Sequence, residues 1–459
     1  MKAEGIATVL SKRDAQYHLH GFTNAVKNLD EGGKVMTRAE GIYVFDENGE
    51  KHIEALSGLW SVAVGFSEQR LIDAATRQMS VLPFYHSFVQ RSHKPLIDLA
   101  AKLVEIAPVP VSKVFFTNSG SEANDTAVKL VWYRANALGQ PHKKKIITRN
   151  RAYHGVTLGS GSLTGMPHVH GGFDLPLPGF HHLTAPHFYR EGRPGETEEQ
   201  FSSRLAEELD ALIVREGPDT IGAMFAEPLI GAGGVIVPPA DYWEKIQAVL
   251  GKYDILLVAD EVICGFGRTG KMFGSQYFNI KPDMIVLSKQ LSSSYLPISA
   301  LLINEKVYGP VAEESSRRGT FGHGLTAGGH PVAAAVALEN IAIIEERGLV
   351  ERARELGERL HARLSALLKH PIVGEVRGVG LIAAIELISS KADKAPYEAP
   401  GKLGRMAAEA LARRNVITRN IGDAIALCPP LIITEAELDN LLDKVEDAID
   451  DVARQINAL

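Results

Sequence analysis

Three apolar runs of this sequence end on residues whose types could do chemistry. Val114-Phe-Phe-Thr-Asn118 leads into Ser119-Gly-Ser-Glu122. Ser119 can cap a following helix while Glu122 reaches back, the capping-box pattern. Gly120 lets the backbone approach a ligand, and Ser121 adds a hydroxyl beside N–H groups that a helix start leaves free, so the segment can cradle a phosphate. Read alone, it is equally an ordinary cap. Ile255-Leu-Leu-Val-Ala259 ends in Asp260-Glu261. A carboxylate at the end of a buried strand sits where α/β sheets bind ligands, or else caps the next element. Met284-Ile-Val-Leu-Ser288 ends in Lys289. Lysine is rarely fully buried. There it either snorkels to solvent or offers an amine that desolvation makes nucleophilic, by lowering a pKa ordinarily about 10.4.

Two further strand ends carry polar groups. Tyr153-His154-Gly155 follows Lys145–Thr148, and Glu227-Pro228 ends Ile221–Ala226. The tyrosine ring could stack on a flat ligand or pack in the core. Taken together, a phosphate cradle, a stacking aromatic, a strand-end aspartate and a strand-end lysine form the set that pyridoxal phosphate (PLP) requires. The phosphate anchors it, an amine holds its aldehyde as a Schiff base, and a carboxylate keeps its pyridine nitrogen protonated.

These groups need a rigid frame. Val114–Thr117, Lys145–Thr148, Ile221–Ala226, Ile255–Ala259 and Met284–Leu287 read as buried strands, with helices such as Glu122–Leu138 and Tyr242–Lys252 between them. That alternation predicts an α/β fold with a mostly parallel sheet. Beyond about residue 330 the pattern changes. Leu349–Leu368 places Ala353, Leu356, Leu360, Leu364 and Leu367 on one helical face. Val373–Glu386 is strand-like with a Gly378-Val-Gly380 break, and Thr434–Glu437 is a capping box opening a helix that buries Leu438, Leu441, Leu442, Val445 and Ile449. We expect a large α/β domain over 66–330 and a smaller α+β domain over 331–459, joined by the N-terminal segment 1–65.

Composition narrows the function classes. Among 459 residues, 49 Lys+Arg against 55 Asp+Glu give a net charge of -6, no electrostatic basis for nucleic acid or an anionic membrane as partner. No apolar run reaches the roughly 18 residues of a membrane span, and Ile6–Leu10 is too short for a signal-peptide core. Two distant cysteines, Cys264 and Cys428, suggest neither a disulfide framework nor a zinc site. A cytoplasmic protein is expected. His18 and His20 lack an accompanying carboxylate or cysteine cluster in the sequence, so no metal is expected there.

The sequence resembles the class III (omega) aminotransferases of PLP fold type I from about residue 18 to the C-terminus. The matching stretches are TNSGSEAND (117–125), YHG (153–155), AEPLIGAGGVIVPP (226–239), LLVADEVICGFGRTG (256–270), LSKQLSSSYLPISA (287–300), GHGLTAGGHPVAAA (322–335) and RGVGL (377–381). The resemblance implies that Lys289 carries PLP and shuttles a proton, and that Asp260 pairs with the pyridine nitrogen. It further implies that Tyr153 and Val262 sandwich the ring, Gly120 and Ser121 hold the phosphate, and Glu227 orients neighbours. Thr326 would contact the phosphate of a second subunit, implying a homodimer or larger assembly, and Arg268 would be structural. Gln290 and Ser294 depart from frequent glycines of the family. Tyr17–Thr23, Ser57–Trp60 and Leu82–Phe88 look like the amine:pyruvate branch. In that branch Leu59, Trp60, Phe88, Tyr153 and Ala232 would line an apolar amine pocket, though each could be core. Arg419 matches its mobile arginine, which binds the keto acid's carboxylate and withdraws from an amine; a surface ion pair is the plainer alternative. The implied activity moves an amino group from a primary amine or omega-amino compound to a keto acid. The same frame also hosts aminomutases, racemases and decarboxylases. A catalytically silent PLP-binding protein and a lysine aldolase without PLP are the other readings.

Overall fold

The computed structural model describes residues 8–457; the start of the chain, including Ile6, lies outside them. An N-terminal sheet is built from β1 (Met36–Glu40), β2 (Tyr43–Asp46) and β3 (Lys51–Glu54), with β3 pairing in parallel with β13 (Val416–Ile417) from the far end of the chain.

The central sheet has seven strands: β4 (Lys113–Thr117), β5 (Lys145–Arg149), β6 (Phe180–Leu183), β7 (Ile221–Ala226), β8 (Leu256–Asp260), β9 (Met284–Leu287) and β10 (Ser299–Ile303), in the order β4-β10-β9-β8-β7-β5-β6. The run from β9 to β6 is parallel, and β10 runs antiparallel to both β4 and β9. Every residue of β7, β8, β9 and β10 is buried. Strands covered on both faces read as continuous apolar runs rather than alternating ones. Helix Gly120–Ala137 lays Ala123, Ala127, Val128 and Val131 on one face, in a cluster with Phe225, Val258 and Val286. Helices Glu198–Glu216 and Tyr242–Lys252 cover the other with Phe201, Leu205, Leu209, Trp243 and Ile246. Each such fully buried large side chain contributes roughly 1.5–3 kcal/mol.

The C-terminal sheet has the order β11-β12-β15-β14, from β11 (Val373–Val379), β12 (Ile382–Leu387), β14 (Arg419–Ile421) and β15 (Ala424–Leu427). The break expected at Gly378-Val-Gly380 divides the strand-like stretch Val373–Glu386 into two strands. The chain reverses at Gly380, whose φ of +56° and approach to the Arg268 carbonyl exclude a side chain. Helix Leu349–Ala366 ends in a tighter turn, Leu367–Lys369, and Leu367, half-buried, still packs on the cluster that holds Ala353, Leu356, Leu360 and Leu364. The last helix, Glu435–Gln455, has the expected Thr434–Glu437 capping box and buried face.

Candidate active site

The ends of β4, β5, β7, β8 and β9 converge on one cavity lined by Gly120, Ser121, Tyr153, Glu227, Asp260, Val262 and Lys289. Ligands collect at this edge because helix N-termini and strand carboxyl ends both open there. Ser119 Oγ accepts the Glu122 N–H at 3.2 Å, but the Glu122 carboxylate accepts from the Asn118 N–H at 2.7 Å, one residue beyond the reciprocal capping box. The N–H groups of Gly120 and Ser121 precede the first intrahelical bond, Ala123 N–H to the Ser119 carbonyl. Ser121 Oγ accepts from the Val156 N–H at 3.2 Å. Gly155, at φ +133°, packs so closely on the Ser121 and Ser160 hydroxyls that any side chain would collide with them.

Asp260 is buried and fully engaged. Its Oδ2 accepts from Asn124 Nδ2 at 2.9 Å and from His154 Nδ1 at 2.8 Å, and its Oδ1 from the Val262 N–H at 3.1 Å. A ring nitrogen facing a carboxylate must carry the proton, so His154 donates through Nδ1; its buried Nε2 has no partner among the described residues. Nothing local marks Asn124 or His154 as partners of Asp260, because both lie more than 100 positions away. Glu227 accepts the Tyr153 N–H at 3.1 Å and the Gly231 N–H at 2.8 Å, tying the stacking tyrosine to the loop that follows β7. Burial pushes its pKa up, opposed by His154 and reinforced by Asp260.

Lys289 adopts φ +44°, a left-handed conformation that costs a non-glycine residue energy and marks a constrained site. Its amine makes no hydrogen bond among the described residues. Burial lowers its pKa, while the Asp260 and Glu227 carboxylates pull it back up. An N–H cradle, a bound carboxylate, an aromatic ring and an amine with a depressed pKa therefore surround one volume. This donor set fits PLP: phosphate at Gly120 and Ser121, pyridine nitrogen at Asp260, aldehyde at Lys289, ring faces at Tyr153 and Val262.

The remaining expected residues fall in three places. Arg419 is half-buried on β14 and makes no ion pair or side-chain hydrogen bond among the described residues; burial raises the Tyr153 pKa and lowers that of Lys289, and the Arg419 charge opposes the first shift and adds to the second. Ala232 is buried in a small cluster with Met166 and Val169, against Tyr153. Trp60 sits only 1% exposed in an apolar cluster with Leu56, Leu229 and Ile263, its indole N–H unpaired, whereas the adjacent Leu59 is exposed. Phe88 is partly exposed and packs on Gly324, and Thr326 is exposed outside its own chain's cavity. Arg268 is fully buried and donates to the Leu381 and Pro429 carbonyls, joining the loop after Asp260 to the C-terminal sheet. Gln290 fills its position by bonding the Ile263 carbonyl at 2.7 Å, and Ser294 holds a glycine-like φ of +57°.

Phe22, which sequence reading did not single out, places its ring 6.4 Å from that of Tyr153. A carboxylate does accompany His18 and His20: Asp14, one helical turn earlier, bonds both rings, at 3.2 and 2.6 Å. The sequence concealed it because the pairing depends on where the helix Val9–Tyr17 ends.

Comparison with known proteins follows this geometry. The family profile "Aminotransferase class-III" matches residues 27–449. A gamma aminobutyrate transaminase from Solanum lycopersicum is 48% identical over 95% of this chain and 85% of its own length. A vanillin aminotransferase from Capsicum annuum is 47% identical over 93% of each. Among solved structures, an omega transaminase from Pseudomonas jessenii in complex with PMP superposes with a TM-score of 0.97 at 57% identity, covering 98% of this chain and 99% of that one.

Proposed function

This chain belongs to the class-III aminotransferases and is a PLP-dependent transaminase, and on that premise we propose that its amino acceptor is pyruvate and its donor an aryl or alkyl primary amine. The observation that carries this reading is the guanidinium of Arg419, without an ion-pair partner among the described residues yet within electrostatic reach of Lys289. A planar guanidinium matches a carboxylate through two parallel hydrogen bonds. An amine without a carboxylate needs that charge displaced, and an arginine held by no counter-ion is free to move.

The residues divide the work. When bound, the cofactor supplies the electron sink for the carbon that loses its proton. Lys289 Nζ anchors the cofactor and, once released, carries the proton from the substrate carbon; its lowered pKa keeps a neutral fraction available as base. Asp260, fixed by His154, Asn124 and the Val262 N–H, holds a proton at the pyridine nitrogen. Glu227 fixes the Tyr153 backbone and so the ring that stacks. Ala232, packed against Tyr153, bounds the amine side.

Three finer readings accompany this one. The assembly is a homodimer or larger, supported by the exposure of Thr326 outside its own chain's cavity. The units are 1–65, 66–330 and 331–459, a division supported by the separate central and C-terminal sheets. The location is the cytoplasm, supported by two buried free cysteines. Incubating the PLP-loaded enzyme with 1-phenylethylamine and pyruvate tests the main reading. Alanine and acetophenone in equal amounts are expected; products formed without pyruvate consumption would overturn it. Light scattering of the eluting protein and cell fractionation test assembly and location.

A further inference from the structure

Beside the loop that follows Glu227, a second group of charges is buried between the central and C-terminal sheets. Arg377 of β11 has only 5% of its side chain exposed. Its Nη1 binds Glu375 at 2.6 Å and Glu386 at 2.8 Å, and its Nε donates to the Gly234 carbonyl at 2.8 Å. Its buried Nη2 has no partner among the described residues. Arg151, just after β5, makes one side-chain hydrogen bond among the described residues, to the His187 ring through Nη1 at 3.1 Å. The two carboxylates at hand are taken: Glu375 by His187 and Arg377, Glu386 by Arg190 and Arg377. Glu191 is the other acid near Arg151, and it is exposed.

The Gly234 backbone lies close beside both cations. At φ +126° it occupies a conformation that side chains rarely adopt. A carbon placed on its Cα would find Arg377 Nη2 at 3.2 Å, Arg151 Nη2 at 3.4 Å and Ile421 at 4.0 Å, with nothing nearer beyond its own chain neighbours. Two guanidinium nitrogens, one from the C-terminal sheet and one from the turn after β5, thus converge on the same face of Gly234, with three arginines sharing two carboxylates. A buried positive charge without a counter-charge is costly, and a fork of N–H donors on both sides is the geometry that receives an anion.

We propose that this seam binds a small anion, chloride or a carboxylate, between Arg151 and Arg377. Once seated, it neutralises the surplus charge and ties the loop after Glu227 to β14, the strand that carries Arg419 two residues from Ile421. Crystals of the PLP-loaded enzyme soaked in sodium bromide should show an anomalous peak within hydrogen-bond distance of both Nη2 atoms. A parallel soak in chloride-free acetate distinguishes the sources: planar density there means that carboxylates enter too, and its absence restricts the site to halide. In solution, chloride titrated against gluconate, a bulky anion, at constant ionic strength should raise the melting temperature saturably. Arg151→Gln should abolish that rise, and Arg151→Lys, keeping the charge without the fork, should weaken apparent affinity at least tenfold. Water alone in the seam, or bromide only at exposed arginines, would overturn the proposal, as would a chloride response equal in wild type and variant. Should Arg151→Gln fail to fold, the bromide map of the wild-type enzyme still decides.

Discussion

Replacing Arg419 with alanine should separate the two half-reactions. Arg419 has no ion-pair partner among the described residues, so truncation strands no buried carboxylate. The main-chain pairing of β14 with Ala426 of β15 survives the change. The stability cost is then below about 1 kcal/mol. Carboxylate binding behaves differently, because a charge-assisted contact to a guanidinium contributes about 1.5–3 kcal/mol. At 1.4 kcal/mol per factor of ten, kcat/KM for pyruvate should fall roughly ten- to a hundredfold. The amine half-reaction should stay level or improve slightly, since a cation leaves an apolar pocket. Single-turnover kinetics on the PLP and PMP forms read each half separately, and a thermal melt reads the fold. Equal losses in both halves, or a clear drop in melting temperature, would show that Arg419 supports the structure and would refute dual recognition.

Four other outcomes are expected. Lys289→Ala should retain PLP through phosphate and ring contacts but lose covalent attachment and turnover; borohydride reduction and peptide mapping of the wild type should label Lys289 and no other lysine. Asp260→Asn keeps an acceptor for Asn124 and His154 at the Oδ2 position but sets its NH2 against the Val262 N–H, so it should lose that one bond, and it should slow proton removal from the amine in stopped flow. Ala232→Val adds bulk to the small cluster against Tyr153, an overpacking cost of about 1–3 kcal/mol, and should reduce activity on bulky aryl amines more than on small ones across a size series. Glu54 is buried and its pKa is raised by burial to about 7. Its neutral form therefore stabilises the fold at low pH, and that contribution is lost as pH rises through about 7. Glu54→Gln should accordingly gain stability relative to wild type between pH 5 and pH 8, by on the order of 3 kcal/mol, measured by urea unfolding at both pH values; a constant difference would place the titration elsewhere.

Much of this architecture is legible in the sequence because the chemistry sits at strand ends. The runs before Asp260 and Lys289 are buried on both faces, so apolar continuity marks each strand and the first polar residue marks its end. Two strands of the central sheet escaped. β6 alternates through His181 and His182, half-buried and polar enough to pass for a loop. β10 is as apolar as its neighbours but follows a serine-rich stretch, and its reversed direction has no periodic signature. Relations across the chain were also hidden: the His154 clamp on Asp260, the Phe22 ring near Tyr153, and the carboxylate Asp14 beside His18 and His20. Residue type suggests that Trp60 faces a ligand, but the left-handed turn at Ser57, Gly58 and Trp60 sets where its indole points, into an apolar cluster. Local propensity does not announce such a turn.

The antiparallel β10 also governs when the site can exist during synthesis. β4 has a single neighbour in its sheet, β10, with Thr117 opposite Ser299. The ribosome must therefore add roughly 180 more residues after β4 before that strand has anything to pair with, a separation that slows assembly. Until then β4, the strand that leads into the phosphate cradle, has no partner in the sheet, although helix Gly120–Ala137 can already pack on Phe225, Val258 and Val286. A nascent chain arrested before β10 should consequently be blind to the cofactor, and one released just beyond it should capture PLP. Cofactor capture thus becomes a late checkpoint in the life of each new chain.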